Sequence, residues 1–145
     1  MSKITPFLWF NDQAEQAARF YVSLFPGSKI VSADPMSVTF QLAGQNFHAL
    51  NGGPLFPFTE AISLFIDCDD QAEVDRLWEA LSEGGEKSRC GWLKDRWGLS
   101  WQVVPKRLGE LLGDPDPAKA KSVMDTMLKM DKLIIADLEK AHAGS

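Results

Sequence analysis

The feature of this sequence that most constrains its fold is an order of predicted elements that occurs twice. In the first half, a predicted strand at 3–10 leads into an amphipathic helix at 13–25, where apolar residues recur in steps of three and four. Three short strand patterns follow, at 29–33, 37–42 and 46–50. The first half therefore predicts the order β-α-β-β-β, with Pro6 indicating an edge strand or a bulge at its start.

The second half predicts the same order with different residues. A continuous apolar strand at 61–67 is followed by a helix that Asp69-Asp70-Gln71 can cap and that Gly84-Gly85 ends. Three further strands are predicted at 86–90, 92–94 and 100–104. The two halves share an order of elements rather than an obvious sequence identity, and no linker separates them.

The pattern after Pro105 is helical. Pro115-Asp116-Pro117 is a typical helix start, and an apolar stripe rich in Met runs from Val123 to Leu138. This stripe packs either on the sheet or on a second subunit, and its length favours a twofold homodimer. We therefore predict a single α+β domain over 1–145, with module one at 1–54, module two at 58–105 and C-terminal helices at 106–141.

Charge and hydropathy exclude several classes of partner. The net charge is −5, from 15 basic and 20 acidic residues, which argues against nucleic acid and anionic membranes as partners. No apolar run is long enough for a membrane span, and the N-terminus lacks the apolar segment of a signal peptide. We therefore expect a cytoplasmic protein in which Cys68 and Cys90 are free thiols.

Aromatic and polar residues on or beside the predicted strands suggest a small-molecule site. Such sites are usually concave, lined by aromatic side chains and supplied with a few polar groups. The candidate ligand-binding residues are Trp9, His48, Asn51, Trp92, Trp97 and Gln102. If Gln102 faces this site, strand alternation turns Trp101 away from it, toward the helices.

The candidate catalytic residues are His48 and Cys90. Cys90 is a possible nucleophile if His48 lies close to it, and the alternative is a small buried apolar residue. Cys68 is flanked by Asp67 and Asp69, whose negative charge should raise its pKa, so we assign it no role.

Several local strings resemble a known superfamily. Residues 17–27 are similar to the first helix of vicinal-oxygen-chelate proteins (the glyoxalase/bleomycin-resistance/dihydroxybiphenyl dioxygenase superfamily), and residues 95–103 resemble their last turn and strand. Residues 48–54, 90–95 and 98–105 resemble the PhnB-like branch, which is often labelled 3-demethylubiquinone-9 3-methyltransferase-like. The resemblance implies two βαβββ modules that form a cupped mixed sheet, with C-terminal helices and frequent dimerisation.

The methyltransferase label finds no support in the residues. A nucleotide-like methyl donor usually lies on a Gly-rich turn between a strand and a helix of a doubly wound sheet. No G-x-G motif follows the first predicted strand, and the modules do not alternate as βαβα.

The resemblance also implies a divalent metal held by the first and last strands of each module. The corresponding positions are Thr5 or Pro6, His48, Ala61 and Gln102. Only His48 and Gln102 are weak candidate ligands, whereas a catalytic metal usually has three protein ligands. We therefore predict no full metal site and no cofactor. His48 then acts as a polar contact or as an acid/base group, or it is a partly buried, hydrogen-bonded residue with no chemical role.

Three functions remain open. The first is a small-molecule-binding protein of the glyoxalase/bleomycin-resistance fold, whose acidic surface would favour a cationic ligand. The second is a lyase, dioxygenase or transferase of the same superfamily that uses a metal or a pair formed by His48 and Cys90. The third is a dimeric interaction protein. The missing ligands at Thr5, Pro6 and Ala61 favour the first over the second.

Overall fold

The computed structural model of this chain describes residues 3–144, which form two compact units divided between Phe58 and Thr59. Each unit contains a four-stranded mixed sheet and one helix that packs across it. The second unit also contains three C-terminal helices. The predicted α+β class and the repeated β-α-β-β-β order are confirmed.

Unit one contains sheet one, in the strand order β1-β4-β3-β2. β1 and β4 are parallel, and the other neighbours are antiparallel. The elements are β1 (Phe7–Phe10), α1 (Ala14–Leu24), β2 (Lys29–Ala33), β3 (Ser37–Leu42) and β4 (Gln45–Asn51). β1 is an edge strand, so the edge position that Pro6 indicated just before it is confirmed.

Unit two contains sheet two, in the equivalent order β5-β8-β7-β6. β5 and β8 are parallel, and the remaining pairs are antiparallel. The elements are β5 (Leu64–Cys68), α2 (Gln71–Ser82), β6 (Glu86–Lys87), β7 (Trp92–Lys94) and β8 (Ser100–Pro105). Asp70 caps α2 by accepting a hydrogen bond from Glu73 N at 2.9 Å, as predicted.

Strand alternation gives sheet one a buried face and an open face. Leu8, Phe10, Phe40 and Ala49 are buried on the face against α1, where Tyr21 is also fully buried. The open face carries the side chains of the alternate positions. They include Phe7, Trp9, Thr39 and His48.

Sheet two has the same two faces. Leu93, Trp101 and Val103 are buried on the helix side. The open face therefore carries Trp92 and Gln102, and the predicted opposite orientation of Trp101 and Gln102 is confirmed.

The C-terminal helices are α3 (Lys106–Leu112), α4 (Pro117–Met127) and α5 (Ile135–Ala143). They form their own core with the end of β8. Its buried members are Val104, Leu108, Leu111, Val123, Leu133 and Leu138. Most of the apolar stripe is therefore used inside the chain, while Met124 and Leu128 remain exposed. Homodimer formation through this stripe stays a prediction.

Three predicted strands differ from the observed ones by three or more residues at one end. β1 begins at Phe7, four residues later than predicted. β5 begins at Leu64, three residues later than predicted. β6 ends at Lys87, so the strand predicted to continue to Cys90 is wrong. The reason is long-range hydrogen bonding, since Cys90 N and Gly91 N donate to Met130 O and Asp131 O, each at 2.8 Å. None of the helices within residues 3–144 is long and apolar enough to cross a membrane.

Candidate ligand-binding site

His48 lies at the centre of the open face of sheet one. It is paired with Phe7 of β1 and Thr39 of β3. A hydrogen bond of 2.9 Å joins His48 Nδ1 to Thr39 Oγ1, and the ring centroids of His48 and Phe7 are 5.5 Å apart. Because Nδ1 is engaged, Nε2 is the ring nitrogen that can meet a ligand. This arrangement suits a polar contact or a proton donor and acceptor.

Trp9 is held tightly at the end of the same face. Its Nε1 donates to Gly53 O at 3.0 Å, and Phe56 meets its ring edge-on at a centroid distance of 4.9 Å. A Cβ added at Gly52 would lie 2.3 Å from Trp9 Cε2, so the indole packs directly on this glycine. Trp9 thus presents a rigid aromatic surface, and its role in ligand binding stays a prediction.

The side chain of Asn51 is hydrogen-bonded to two backbone groups. Its Oδ1 accepts from Ala14 N at 2.8 Å, and its Nδ2 donates to Pro35 O at 3.2 Å. It therefore caps α1 from the end of β4, 37 residues away in sequence. Gln13 occupies the N-cap position of α1 but makes no side-chain capping bond.

Gln102 occupies the position in sheet two that His48 occupies in sheet one. Each lies on the last strand of its module and pairs with a Phe of the first strand, Phe7 for His48 and Phe65 for Gln102. The Gln102 Nε2 donates to Ser63 Oγ at 3.0 Å.

The same strand register shows which residues occupy the metal-ligand positions that the resemblance implies on the first strand of each module. Thr5 and Ser63 each precede the paired Phe by two residues. The prediction that Ala61 occupies this position is therefore wrong by two residues, because β5 begins late. The side chains at the four positions implied by the resemblance are those of Thr5, His48, Ser63 and Gln102.

A pocket of about 350 Å³ lies where the open face of sheet two meets α3 and α4. We call it the sheet-two pocket. Its lining residues are Phe65, Asp67, Cys90, Trp92, Gln102, Val104, Pro105, Lys106, Leu108, Gly109, Leu112 and Met127. Three predicted site residues, Cys90, Trp92 and Gln102, are thus brought together in one concavity. The contribution of α3 and α4 was not predicted, because sequence patterns do not show where a helix folds back on a sheet.

Cys90 reaches this pocket from a turn. Its φ is +59°, in the left-handed region, and its side chain is partly exposed. The hydrogen bond from its backbone to Met130 O holds this unusual conformation. A strand position for Cys90 is therefore wrong, while its predicted chemical role stays a prediction.

Trp97 lies in the turn between β7 and β8. Its backbone N donates to Asp95 Oδ1 at 2.9 Å, and the Arg96 guanidinium lies 5.3 Å from its ring centroid. It is not among the residues that line the sheet-two pocket. Trp97 therefore does not share this pocket with Trp92, and a ligand contact at Trp97 stays a prediction.

Cys68 is fully buried on the helix side of sheet two. Burial raises the pKa of its thiol to about 12, and the negative charge of Glu73 adds to this effect. The predicted direction is confirmed, although loss of solvation is the larger cause and the neighbouring Asp67 and Asp69 contribute less.

The residues at the four implied metal positions do not match the donor set that a divalent metal prefers. Thr5 and Ser63 offer neutral hydroxyls, Gln102 a neutral amide, and His48 the sole imidazole. Within residues 3–144, no three His, Cys, Asp or Glu side chains are grouped so as to hold a metal ion. We therefore derive no chemical step through a metal.

Comparison with known proteins places this architecture in the glyoxalase/bleomycin-resistance fold. A glyoxalase/bleomycin resistance protein from Albidiferax ferrireducens is 19% identical over 69% of this chain and 96% of its own, with a TM-score of 0.50. The fosfomycin resistance protein FosX from Listeria monocytogenes, solved with manganese(II) and sulfate, is 15% identical over 70% of this chain and 87% of its own, with a TM-score of 0.52. These two likenesses show the fold alone.

The family is defined by stronger matches. The model of the 3-demethylubiquinone-9 3-methyltransferase family matches residues 2–104. A putative 3-demethylubiquinone-9 3-methyltransferase, a PhnB protein from Bacillus cereus, is 34% identical over 72% of this chain and 99% of its own, with a TM-score of 0.67. This chain therefore belongs to that PhnB-like family. No curated protein matches it.

Proposed function

We propose that this chain is a small-molecule-binding protein whose ligand lies in the sheet-two pocket. The observation that carries the proposal is the convergence of Cys90, Trp92 and Gln102 with apolar residues of α3 and α4 around one concavity. A volume of about 350 Å³ suits a small organic molecule. Trp92 and Phe65 supply aromatic surface, and Gln102 supplies an amide that can orient a polar group.

The charges at this pocket favour an amphipathic cation. Lys106 is bound to Asp69 by a salt bridge of 2.6 Å, which together with the charge of Asp69 raises the lysine pKa. Within residues 3–144, the Asp67 carboxylate makes no hydrogen bond or salt bridge; Lys106 acts on it only through longer-range electrostatic attraction, while the Lys106 ammonium is bound to Asp69. The Asp67 carboxylate therefore offers a negative charge to a ligand. A cation paired with Asp67 would also gain from the faces of Trp92 and Phe65.

The family name by itself does not assign methyl transfer to this chain. A nucleotide-like methyl donor needs a Gly-rich turn at a helix N-terminus. The connection from β1 to α1 is Asn11-Asp12-Gln13, and the one from β5 to α2 is Asp69-Asp70. Neither connection contains glycine. We therefore propose binding as the function.

A pocket-filling substitution tests the location of the ligand. Gly109 lines the pocket, and a Cβ added there meets no atom within 4 Å. Gly109→Phe should fill the pocket and abolish binding of benzylamine, measured by protein-observed NMR titration. Gly109→Ala is the matched control, which should bind normally and gain about 0.5–1 kcal/mol in unfolding free energy. Unchanged binding by Gly109→Phe would contradict the location.

A charge series tests the ligand class. We expect benzylamine to bind more tightly than benzyl alcohol, and phenylacetate to bind least. Asp67→Asn should remove this preference while leaving benzyl alcohol unaffected, because the substitution keeps the shape and loses only the charge. An equal affinity of wild type and Asp67→Asn for benzylamine would contradict the proposal of a cationic ligand, but not the proposal that the ligand lies in this pocket.

A metal titration tests the proposed absence of a full metal site. Calorimetry with Zn, Mn, Ni, Fe(II) and Mg should show no tight binding, since His48 alone among the four positions is a strong donor. Near-stoichiometric binding that His48→Ala abolishes would overturn this proposal and favour metal-dependent chemistry on vicinal oxygens.

A further inference from the structure

Ser100 has a buried hydroxyl with no hydrogen-bond partner. Its side chain is 1% exposed, and its Oγ is the one buried side-chain N or O atom within residues 3–144 that lacks a partner. A buried polar group left unpaired costs roughly 1–3 kcal/mol, so native proteins rarely retain one without a reason. Ser100 is on β8 and shares the open face of sheet two with Gln102.

Ser100 lines a second cavity, of about 290 Å³, which we call the Ser100 cavity. The cavity lies toward the β6 edge of the sheet, and Trp92 borders both it and the sheet-two pocket. Its other lining residues are Glu60, Glu86, Lys87, Ser88, Leu93 and Lys94. The lining is therefore mainly polar, in contrast to the apolar lining of the sheet-two pocket.

The charged side chains of the Ser100 cavity balance one another. Lys94 Nζ lies 3.1 Å from Glu60 Oε1, and Lys87 Nζ lies 3.5 Å from Glu79 Oε1. With Glu86, the lining has two acids and two bases. An anion would meet the carboxylates of Glu60 and Glu86, and a cation would meet the two ammonium groups. Net charge thus favours a neutral group.

Hydroxyl groups match this lining better than other neutral groups do. A ligand hydroxyl can both donate to and accept from Ser100 Oγ, donate to a Glu carboxylate and accept from Lys94. Several hydroxyls on one ring would meet several of these partners together. The indole of Trp92 is suited to the apolar C–H face of such a ring.

We propose that the Ser100 cavity binds a neutral polyhydroxylated ring, such as a sugar, with Ser100 as the buried anchor. The Ser100 Oγ has almost no accessible surface, so a covering side chain must move when the ligand enters. Lys94 is the cross-strand neighbour of Ser100, and Glu60 holds Lys94 in place with a mostly exposed side chain. Such an exposed salt bridge is weak, and a ligand can replace it.

The test is an NMR titration of the full chain with glucose, galactose and N-acetylglucosamine, with acetate and trimethylammonium as charged comparisons. We expect at least one sugar to shift the Trp92 indole and Lys94 amide signals, with Kd on the order of millimolar. Ser100→Ala should weaken that binding on the order of tenfold. Ser82→Ala, at a buried serine on α2, is the matched control and should bind as wild type does.

Stability separates a binding role from a purely structural one. Ser100→Ala should unfold at the same or a higher temperature, because it removes an unpaired buried hydroxyl. No shift with any of the three sugars, or an equal affinity of wild type and Ser100→Ala, would overturn the proposal. Because this proposal does not depend on the sheet-two pocket, Gly109→Phe should leave sugar binding unchanged, so the two can fail separately.

Discussion

The Asp95 carboxylate accepts a hydrogen bond from the Trp101 indole, with 2.9 Å between Oδ2 and Nε1. Both side chains are 2% exposed. The other carboxylate oxygen accepts from Trp97 N and Leu99 N at 2.9 and 3.0 Å. A buried carboxyl group thus closes the turn between β7 and β8, next to the strands that carry Trp92 and Gln102.

Asp95→Asn should therefore destabilise the protein strongly. The amide retains one acceptor oxygen but directs an N–H group at the Trp101 indole N–H, and both then lack an acceptor. We expect a loss of about 2–4 kcal/mol in unfolding free energy, measured by urea denaturation.

Two further variants show whether burial causes this loss. Asp34→Asn is the matched control, because Asp34 Oδ1 also accepts from two backbone N–H groups, those of Met36 and Ser37, but in an exposed turn. Its effect should be much smaller. A double-mutant cycle that combines Asp95→Asn with Trp101→Phe should give a coupling energy of about 1–3 kcal/mol. Additive effects of the two substitutions would contradict a direct bond.

Asn51→Ala should lower stability by about 1 kcal/mol, because it removes the side chain that caps α1 at Ala14 N. Asn51→Asp keeps the capping oxygen and adds a negative charge that suits the helix N-terminus, but it replaces the exposed bond to Pro35 O by an unfavourable contact between two oxygens, so it should lose less than Asn51→Ala. Hydrogen exchange of the first-turn amides of α1 would locate the effect. Equal losses for both variants would show that the Pro35 contact dominates.

Gly52→Ala should displace the Trp9 indole, since the new methyl group would overlap the ring. The cost should be about 1–3 kcal/mol, typical of overpacking. The NMR signal of the Trp9 indole N–H, bonded to Gly53 O, should shift. Gly44→Ala serves as the control, because Gly44 has a φ of +89° and open space around it, so that only backbone strain is added. An unmoved Trp9 signal in Gly52→Ala would contradict the packing.

Cys68 should make the protein less stable at alkaline pH. The folded thiol has a pKa raised to about 12, while the unfolded thiol ionises near its ordinary value of about 8.5. The contribution of Cys68 to the free energy of unfolding is therefore fully present below the pKa of the unfolded thiol. It declines as the pH rises toward the pKa of the folded thiol. The decline should reach about 1 kcal/mol per pH unit. Urea denaturation of wild type and Cys68→Ala between pH 8 and 10 checks this, and parallel curves would contradict it.

Local patterns in the sequence predicted most of the architecture. The period of two in β3 and the steps of three and four in α1 need only neighbouring residues, so those bounds match closely. The opposite orientations of Trp101 and Gln102 followed from alternation alone. Pro117 and Asp116 marked the start of α4, where Asp116 Oδ1 accepts from Ala118 N at 2.9 Å.

The candidate site was only partly predictable. Trp92 and Gln102 were identified because aromatic and polar residues on strands mark small-molecule sites. Gly109 and Ser100 were missed, since a glycine in a helix and a serine in a strand carry no signal of what lies opposite them. Gly109 matters because the space beside it is open, and Ser100 matters because its buried hydroxyl has no hydrogen-bond partner.

The sequence by itself determined the order β-α-β-β-β in each module, because hydrophobic periodicity and turn residues act over a few positions. Tertiary structure alone decided that Asn51 caps α1 and that α3 and α4 complete a pocket on sheet two. It also decided that Cys90 lies in a turn, hydrogen-bonded to Met130, and not in the predicted strand. Each of these depends on hydrogen bonds or packing between residues far apart in the chain, whose partners are chosen only when the whole backbone has folded.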